Sequence, residues 1–155
     1  MKIRTLTPSP AHVPTALVRH GIALLPAAIT RAASARTYQI IGTLVDSGRT
    51  QNAYRAYAYF RWVDDQIDGS AWERAQRLAF VARQQAVVAS AYAGRPLHSL
   101  APEEQMAVDL IASDPALDSG LGLYIRHMMA VMAFDAERRG RLITQAELDA
   151  YTRDL

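Results

Sequence analysis

The run from Tyr54 to Asp68, YRAYAYFRWVDDQID, sets the terms for the rest of the chain. At a helical advance of about 100° per residue, Tyr57, Arg61, Asp64 and Asp68 fall within about 60° of one another, with Asp65 at the edge of that stripe. Ala56, Phe60, Val63 and Ile67 form an apolar stripe beside it, and Tyr59 and Trp62 cover much of the remainder. A helix with so little polar surface has to be wrapped by other elements. The carboxylates then face either the rim of the protein or a cavity inside it.

The flanking sequence supplies those neighbours as further helices. Ser70-Ala-Trp-Glu73 and Thr144-Gln-Ala-Glu147 have the spacing of a capping box, in which a hydroxyl caps an amide and the Glu reaches back. Pro102-Glu103-Glu104 puts Pro and two acids in a first turn, and Asp118-Ser119 offers caps before Leu121 to Phe134. The pattern predicts helices near 15–25, 27–46, 50–69, 71–93, 102–112, 119–138 and 145–155. Residues 1–13 form a proline-bearing lead and 14–155 a single helical domain. Period-two alternation bounded by turns is absent, so the class is all-α.

Three neighbouring carboxylates in a poorly solvated setting raise one another's pKa and repel unless cations neutralise them. Arg61 supplies one charge, and a divalent ion would supply the rest. Mg2+ suits such a group, because it takes oxygen ligands and is often held by one or two carboxylates while it bridges to phosphates. Carboxylates at i and i+4 with an Arg one turn earlier also occur as plain surface salt-bridge clusters. Further along, Tyr124, Met128, Val131 and Asp135 share one stripe, an apolar wall about two turns long that ends in a carboxylate. Such a wall suits a long hydrocarbon with a polar head, or is ordinary core with Asp135 as the first exposed residue. Glu137, Arg138, Arg139 and Arg141 follow, either to screen a diphosphate or as a solvated helix end.

Several chemistries drop out. The chain has no cysteine, which removes disulfides, thiolate metal sites and a cysteine nucleophile and is the pattern of a cytoplasmic protein. Seventeen basic residues are interspersed with 15 acidic ones for a net charge of +2, so no nucleic-acid footprint is present, while weak attraction to a membrane surface stays open. His12, His20, His98 and His127 lack the i,i+3 or i,i+4 pairing of metal ligands and read as structural. Gly120-Leu-Gly122 is too short for a phosphate loop. The segment Ile22 to Ile29 before Ala33-Ser34-Ala35 has the outline of a signal peptide, but Pro26 and Arg31 argue against it.

The string YAYFRWVDDQID, preceded at a matching interval by Thr37-Tyr38, resembles the first aspartate-rich region of the squalene/phytoene synthase family, the head-to-head prenyl transferases. Met128 to Tyr151, MMAVMAFDAERRGRLITQAELDAY, resembles the segment that follows it, so the likeness spans roughly residues 30 to 151. It implies a prenyl-synthase-type helical bundle in which two farnesyl or geranylgeranyl diphosphates condense with Mg2+. Asp64 and Asp68, with Asp65 beside them, would hold the metal, and Arg61 the diphosphate. Tyr57 and Tyr38 would line the cavity near the allyl groups, Thr37 would donate to phosphate, and Asp135 would complete the substrate site.

The departures are as specific. The family usually has a Ser two places before the position of Thr37, where this chain has Ala35, with Ser34 one residue off. The family's second aspartate motif lies beyond the position of Leu155, and the last helix carries no stop signal. The expectation is therefore an N-terminal half, needing a C-terminal half or partner chain, inactive in condensation alone, and cytoplasmic or membrane-peripheral. Two other functions fit the same residues: a non-catalytic helical assembly factor, and a lyase or hydrolase that removes diphosphate from a prenyl substrate.

Overall fold

The computed structural model describes residues 25–69, 71–95 and 97–154. The lead at 1–13 lies outside these, as does all but the last residue of the helix expected over 15–25. Seven helices, and no strand, occur among the described residues: α1 (Leu25–Ala33), α2 (Ala35–Leu44), α3 (Thr50–Gly69), α4 (Arg74–Tyr92), α5 (Pro102–Ser113), α6 (Gly120–Arg138) and α7 (Gln145–Asp154). The all-α reading holds, and α3 falls where the sequence put it.

The helix expected over 27–46 is in fact two. Ser34 leaves helical geometry, and its hydroxyl oxygen accepts from the Thr37 amide at 3.1 Å, which starts α2 afresh. A serine competes for backbone donors in this way, and the apolar periodicity on either side gives no sign of it. The helix expected from residue 71 begins at Arg74. Ser70, its expected cap, lies outside the described residues; the Gln76 side chain instead accepts from the Glu73 amide at 2.9 Å. The other cap at that end of the chain is as expected: the Thr144 and Glu147 amides donate to the side chains of Glu147 and Thr144 in turn, at 2.8 and 3.2 Å. Ser119 likewise caps α6 by accepting from the Gly122 amide at 3.0 Å.

α3 is the central element, in contact with α1, α2, α4, α5 and α6. Tyr59, Phe60, Val63 and Ile67 of α3 meet Val81 of α4, Leu110 and Ile111 of α5, and Ile125, Met129 and Met132 of α6 in one core. Full burial of each such aliphatic or aromatic side chain contributes about 1.5–3 kcal/mol, so this stripe does most to hold the bundle together.

A polar chain runs through the same core. Tyr59 donates its hydroxyl to Gln84 Oε1 at 3.2 Å, Gln84 Nε2 donates to Glu104 Oε1 at 3.0 Å, and Arg83 grips Glu104 through two bonds of 2.7 Å. The Ala101 amide adds a fourth bond to Glu104 at 2.9 Å. Burial pushes the Glu104 carboxyl up, but these donors outweigh it and hold the group below its ordinary range. Burial and the Glu104 charge together drive the Tyr59 hydroxyl well above the usual phenol range, so it stays a donor. The chain ties α3, α4 and α5 in one register.

Candidate functional site

Because α3 buries Val63 and Ile67, the side chains about 100° round the helix come out at the edge of the bundle. There Arg61 bonds Asp64 at 3.2 Å through Nη1 and Asp65 through Nη2, and the side chains of Arg61 and Asp65 are 44% and 54% exposed. Asp64, at 34%, sits deeper. Asp68, one turn on, is exposed and forms no ion pair among the described residues. The carboxylates thus occupy a half-open rim, not an enclosed cavity. Arg61 ties two of them into the surface-type cluster that the spacing also allowed.

The structure adds a third side to this group from α6. Asp135 is only 12% exposed, so it is not the open helix end that its position suggested, and it accepts from Arg138 Nε. Burial, then the charge of Asp68, pushes the Asp64 carboxyl above its ordinary range; Arg61 pulls it down, and Asp65 and Asp135 push it up again. Asp64, Asp68 and Asp135 therefore share one electrostatic neighbourhood. Among the described residues, however, no three Asp, Glu or His side chains converge closely enough to hold a metal by themselves.

Arg138 and Tyr151 belong to the same neighbourhood. The Arg138 guanidinium lies 6.0 Å from the ring centre of Phe134 and 5.8 Å from that of Tyr151, and those two rings are 5.2 Å apart. Burial first, then Asp135, raises the Tyr151 hydroxyl pKa; Arg138 opposes this, while Asp64 and Asp68 reinforce it. Tyr151 was not among the residues the sequence singled out for chemistry. Its signal was the Thr144 cap, which fixes the phase of α7 and puts Glu147 and Tyr151 on one face.

A cleft of about 800 Å³ opens further back along α3, lined by Thr37, Ile41, Ala56, Tyr57, Leu121 and Tyr124 among others. Tyr57 and Asp64 are seven residues apart, or about 10 Å along the helix axis, on the same face. Phe60 meets Tyr124 edge-on at 5.6 Å. Burial, with the nearby Tyr57, raises the Tyr124 hydroxyl pKa. None of the four aspartates lines this cleft. Of the expected apolar wall on α6, Val131 is buried, Met128 packs against the core, and Tyr124 is exposed at the cleft.

Two expected site residues already have partners within the fold. The Thr37 hydroxyl donates to Ser34 Oγ at 2.8 Å, although Thr37 does line the cleft. Tyr38 stacks flat on Tyr54 at 5.2 Å under the Arg31 guanidinium and is not among the cleft's lining residues. Arg139 bonds the Ile67 carbonyl at 2.6 Å, closing the end of α3 in place of a solvated helix end. Arg141, in the loop before α7, bonds Glu147 of that helix at 2.7 Å. Of the histidines, His98 is exposed on a loop and His127 is half-buried; His12 and His20 lie outside the described residues.

No helix among the described residues is long and apolar enough to cross a membrane. No family model, curated protein or solved structure matches this chain.

Proposed function

We propose that this chain binds prenyl diphosphates with Mg2+ in the manner of the squalene/phytoene synthase prenyltransferases, which join two such substrates head to head, and that it supplies one of the two diphosphate sites such a reaction needs. One observation carries the reading: Asp64 and Asp68 stand a turn apart beside Asp135, at one end of a face of α3 whose other end opens into an aromatic-lined cleft.

The donor set fits Mg2+ in kind. All its members are carboxylate oxygens, and Asp64 carries the mutual repulsion that a cation would relieve. One or two carboxylates suffice for this ion when phosphate oxygens and water fill its other positions, so Asp64 and Asp68 would hold it with Asp65 at the rim. When bound, Mg2+ supplies charge neutralisation of a leaving diphosphate. The chain's own residues do the rest. Arg61, half-exposed, turns from Asp64 towards the diphosphate. Tyr57 and Tyr124, which line the cleft, supply aromatic rings that tolerate a developing carbocation and keep water from it. Ile40 and Leu44, exposed on α2 on successive turns after Arg36, support peripheral attachment to a membrane, where apolar substrates gather.

The test is calorimetry of farnesyl diphosphate with Mg2+ against the wild type and the Asp64→Asn, Asp68→Asn double variant. Binding lost in the variant supports the site; binding unchanged removes it. The non-catalytic reading draws on a different observation, that arginines already neutralise Asp64, Asp65 and Asp135. Under it neither protein binds the diphosphate. A lyase or hydrolase would use the same aspartates and is separated by turnover: this chain alone would release free diphosphate from a single prenyl substrate.

A further inference from the structure

α2 walls the cleft with one face and leaves the next face bare. Thr37, Ile41 and Val45 line the cleft. Ile40 and Leu44 lie about 60° further round the helix from Thr37 and Ile41 respectively. They are 45% and 79% exposed. Across the opening, Tyr124 of α6 lines the cleft and is itself 41% exposed. The mouth is thus edged on both walls by apolar groups in water, the arrangement of an interaction surface. Arg36 stands one turn before Ile40 on the same stripe, and Arg49 lines the cleft. Both are exposed, and neither forms an ion pair among the described residues. Residues 25–55 carry Arg31, Arg36, Arg49 and Arg55 against Asp46 as the only acid.

We infer that α2 docks this chain on an anionic lipid bilayer, with Ile40 and Leu44 among the headgroups and the mouth of the cleft against the membrane. Apolar side chains with arginines beside them match such a surface twice, by burial at the acyl boundary and by attraction to lipid phosphates. A second copy on this face would bring the same uncompensated arginines together, which opposes association. A cleft with apolar and aromatic walls also takes ligands that reside in lipid. The aspartates do not oppose the docking. Tyr38 stacks on Tyr54, which sets α2 at the start of α3, and Asp64 lies about 21 Å along α3 from Thr50. That distance exceeds the reach of lipid charge at physiological salt. The docking needs neither Mg2+ nor diphosphate and stands apart from the reading of the aspartates.

The chain has no cysteine, so a single introduced one carries an environment-sensitive fluorophore at a chosen place. Leu44→Cys and Tyr124→Cys report the two walls of the mouth. Leu142→Cys, 96% exposed on the loop before α7, reports general adhesion of exposed apolar groups. With vesicles of phosphatidylcholine and phosphatidylglycerol, the first two labels should shift to the blue and be quenched by spin-labelled lipid, and the third should do neither. In unlabelled protein, Ile40→Ser with Leu44→Ser should lower vesicle partitioning by about tenfold or more. Arg36→Gln should lower it by about fivefold, and only where phosphatidylglycerol is present. A Leu142 label that inserts as deeply, a Tyr124 label left in water, or a serine variant that sediments with vesicles as well as the wild type does would overturn the inference. So would a Leu44 label already shielded without lipid, the sign of a second copy on that face. None of these samples contains Mg2+ or a prenyl diphosphate, so this result and the calorimetric test of the aspartates can fail independently.

Discussion

Asp64 and Glu104 are carboxylates with opposite electrostatics: the fold disfavours the ionised form of the first and favours that of the second. Asp64 has its pKa raised, so the folded protein binds its proton more tightly than the unfolded chain does. Its ionised form costs stability above the folded pKa, and the cost is relieved as pH falls through that value. Asp64→Asn should therefore leave stability unchanged or raise it at pH 7, with the gain shrinking by pH 4, in urea titrations at both values. Glu104 is the reverse case: its depressed pKa contributes stability that is present above the unfolded value and lost as pH falls through the folded one. Glu104→Ala would leave buried Gln84 and the Ala101 amide without that partner and release half-exposed Arg83 to solvent. A loss of about 1–3 kcal/mol is expected, in the range for leaving buried donors unsatisfied, and equilibrium denaturation will measure it. The sequence made Asp64 legible through its neighbours at i−3 and i+4. Glu104 was visible only as an acid in a first turn, because its partners lie on other helices.

Among the elements, α6 shows how a glycine can matter without any phosphate. A Cβ on Gly122 would stand 2.5 Å from the Ala116 carbonyl and 2.6 Å from that of Leu117, both backbone atoms of the loop that turns the chain into α6. Gly122→Ala should force that loop outward and cost about 1–3 kcal/mol, the usual penalty for overpacking, seen as a lower midpoint in thermal unfolding. The Gly-Leu-Gly string was readable as not being a phosphate loop, but the contact that demands Gly122 is tertiary and had no sequence signature. The Ser34 break between α1 and α2 was missed for a related reason. A capping serine inside an apolar run is a local signal that periodicity overrides, and only the bond from the Thr37 amide reveals it. Where a cap coincided with a change of pattern, at Ser119 and Thr144, the helix start was legible.

For the whole molecule, the all-α class and the stripe on α3 followed from spacing, whereas the company kept by that stripe did not. Periodicity placed Asp135 on α6, but only the packing of α6 on α3 brings it beside Asp64, and only the docking of α7 brings Tyr151 to both. Among the described residues there is one such acidic group, whereas head-to-head condensation has two diphosphates to manage. The 155-residue chain with Mg2+ and farnesyl or geranylgeranyl diphosphate should therefore bind substrate without forming a C30 or C40 hydrocarbon. Labelled-substrate chromatography that detected such a product would overturn this. The two stripes of α3 carry a consequence for how such a chain can change over generations. Val63 and Ile67 are almost wholly enclosed, while Asp64 and Asp68, the next residue in each case, stand at the rim. Core and rim thus alternate along one helix without sharing a side chain, so a lineage could abandon or retune the carboxylates while inheriting the same scaffold intact.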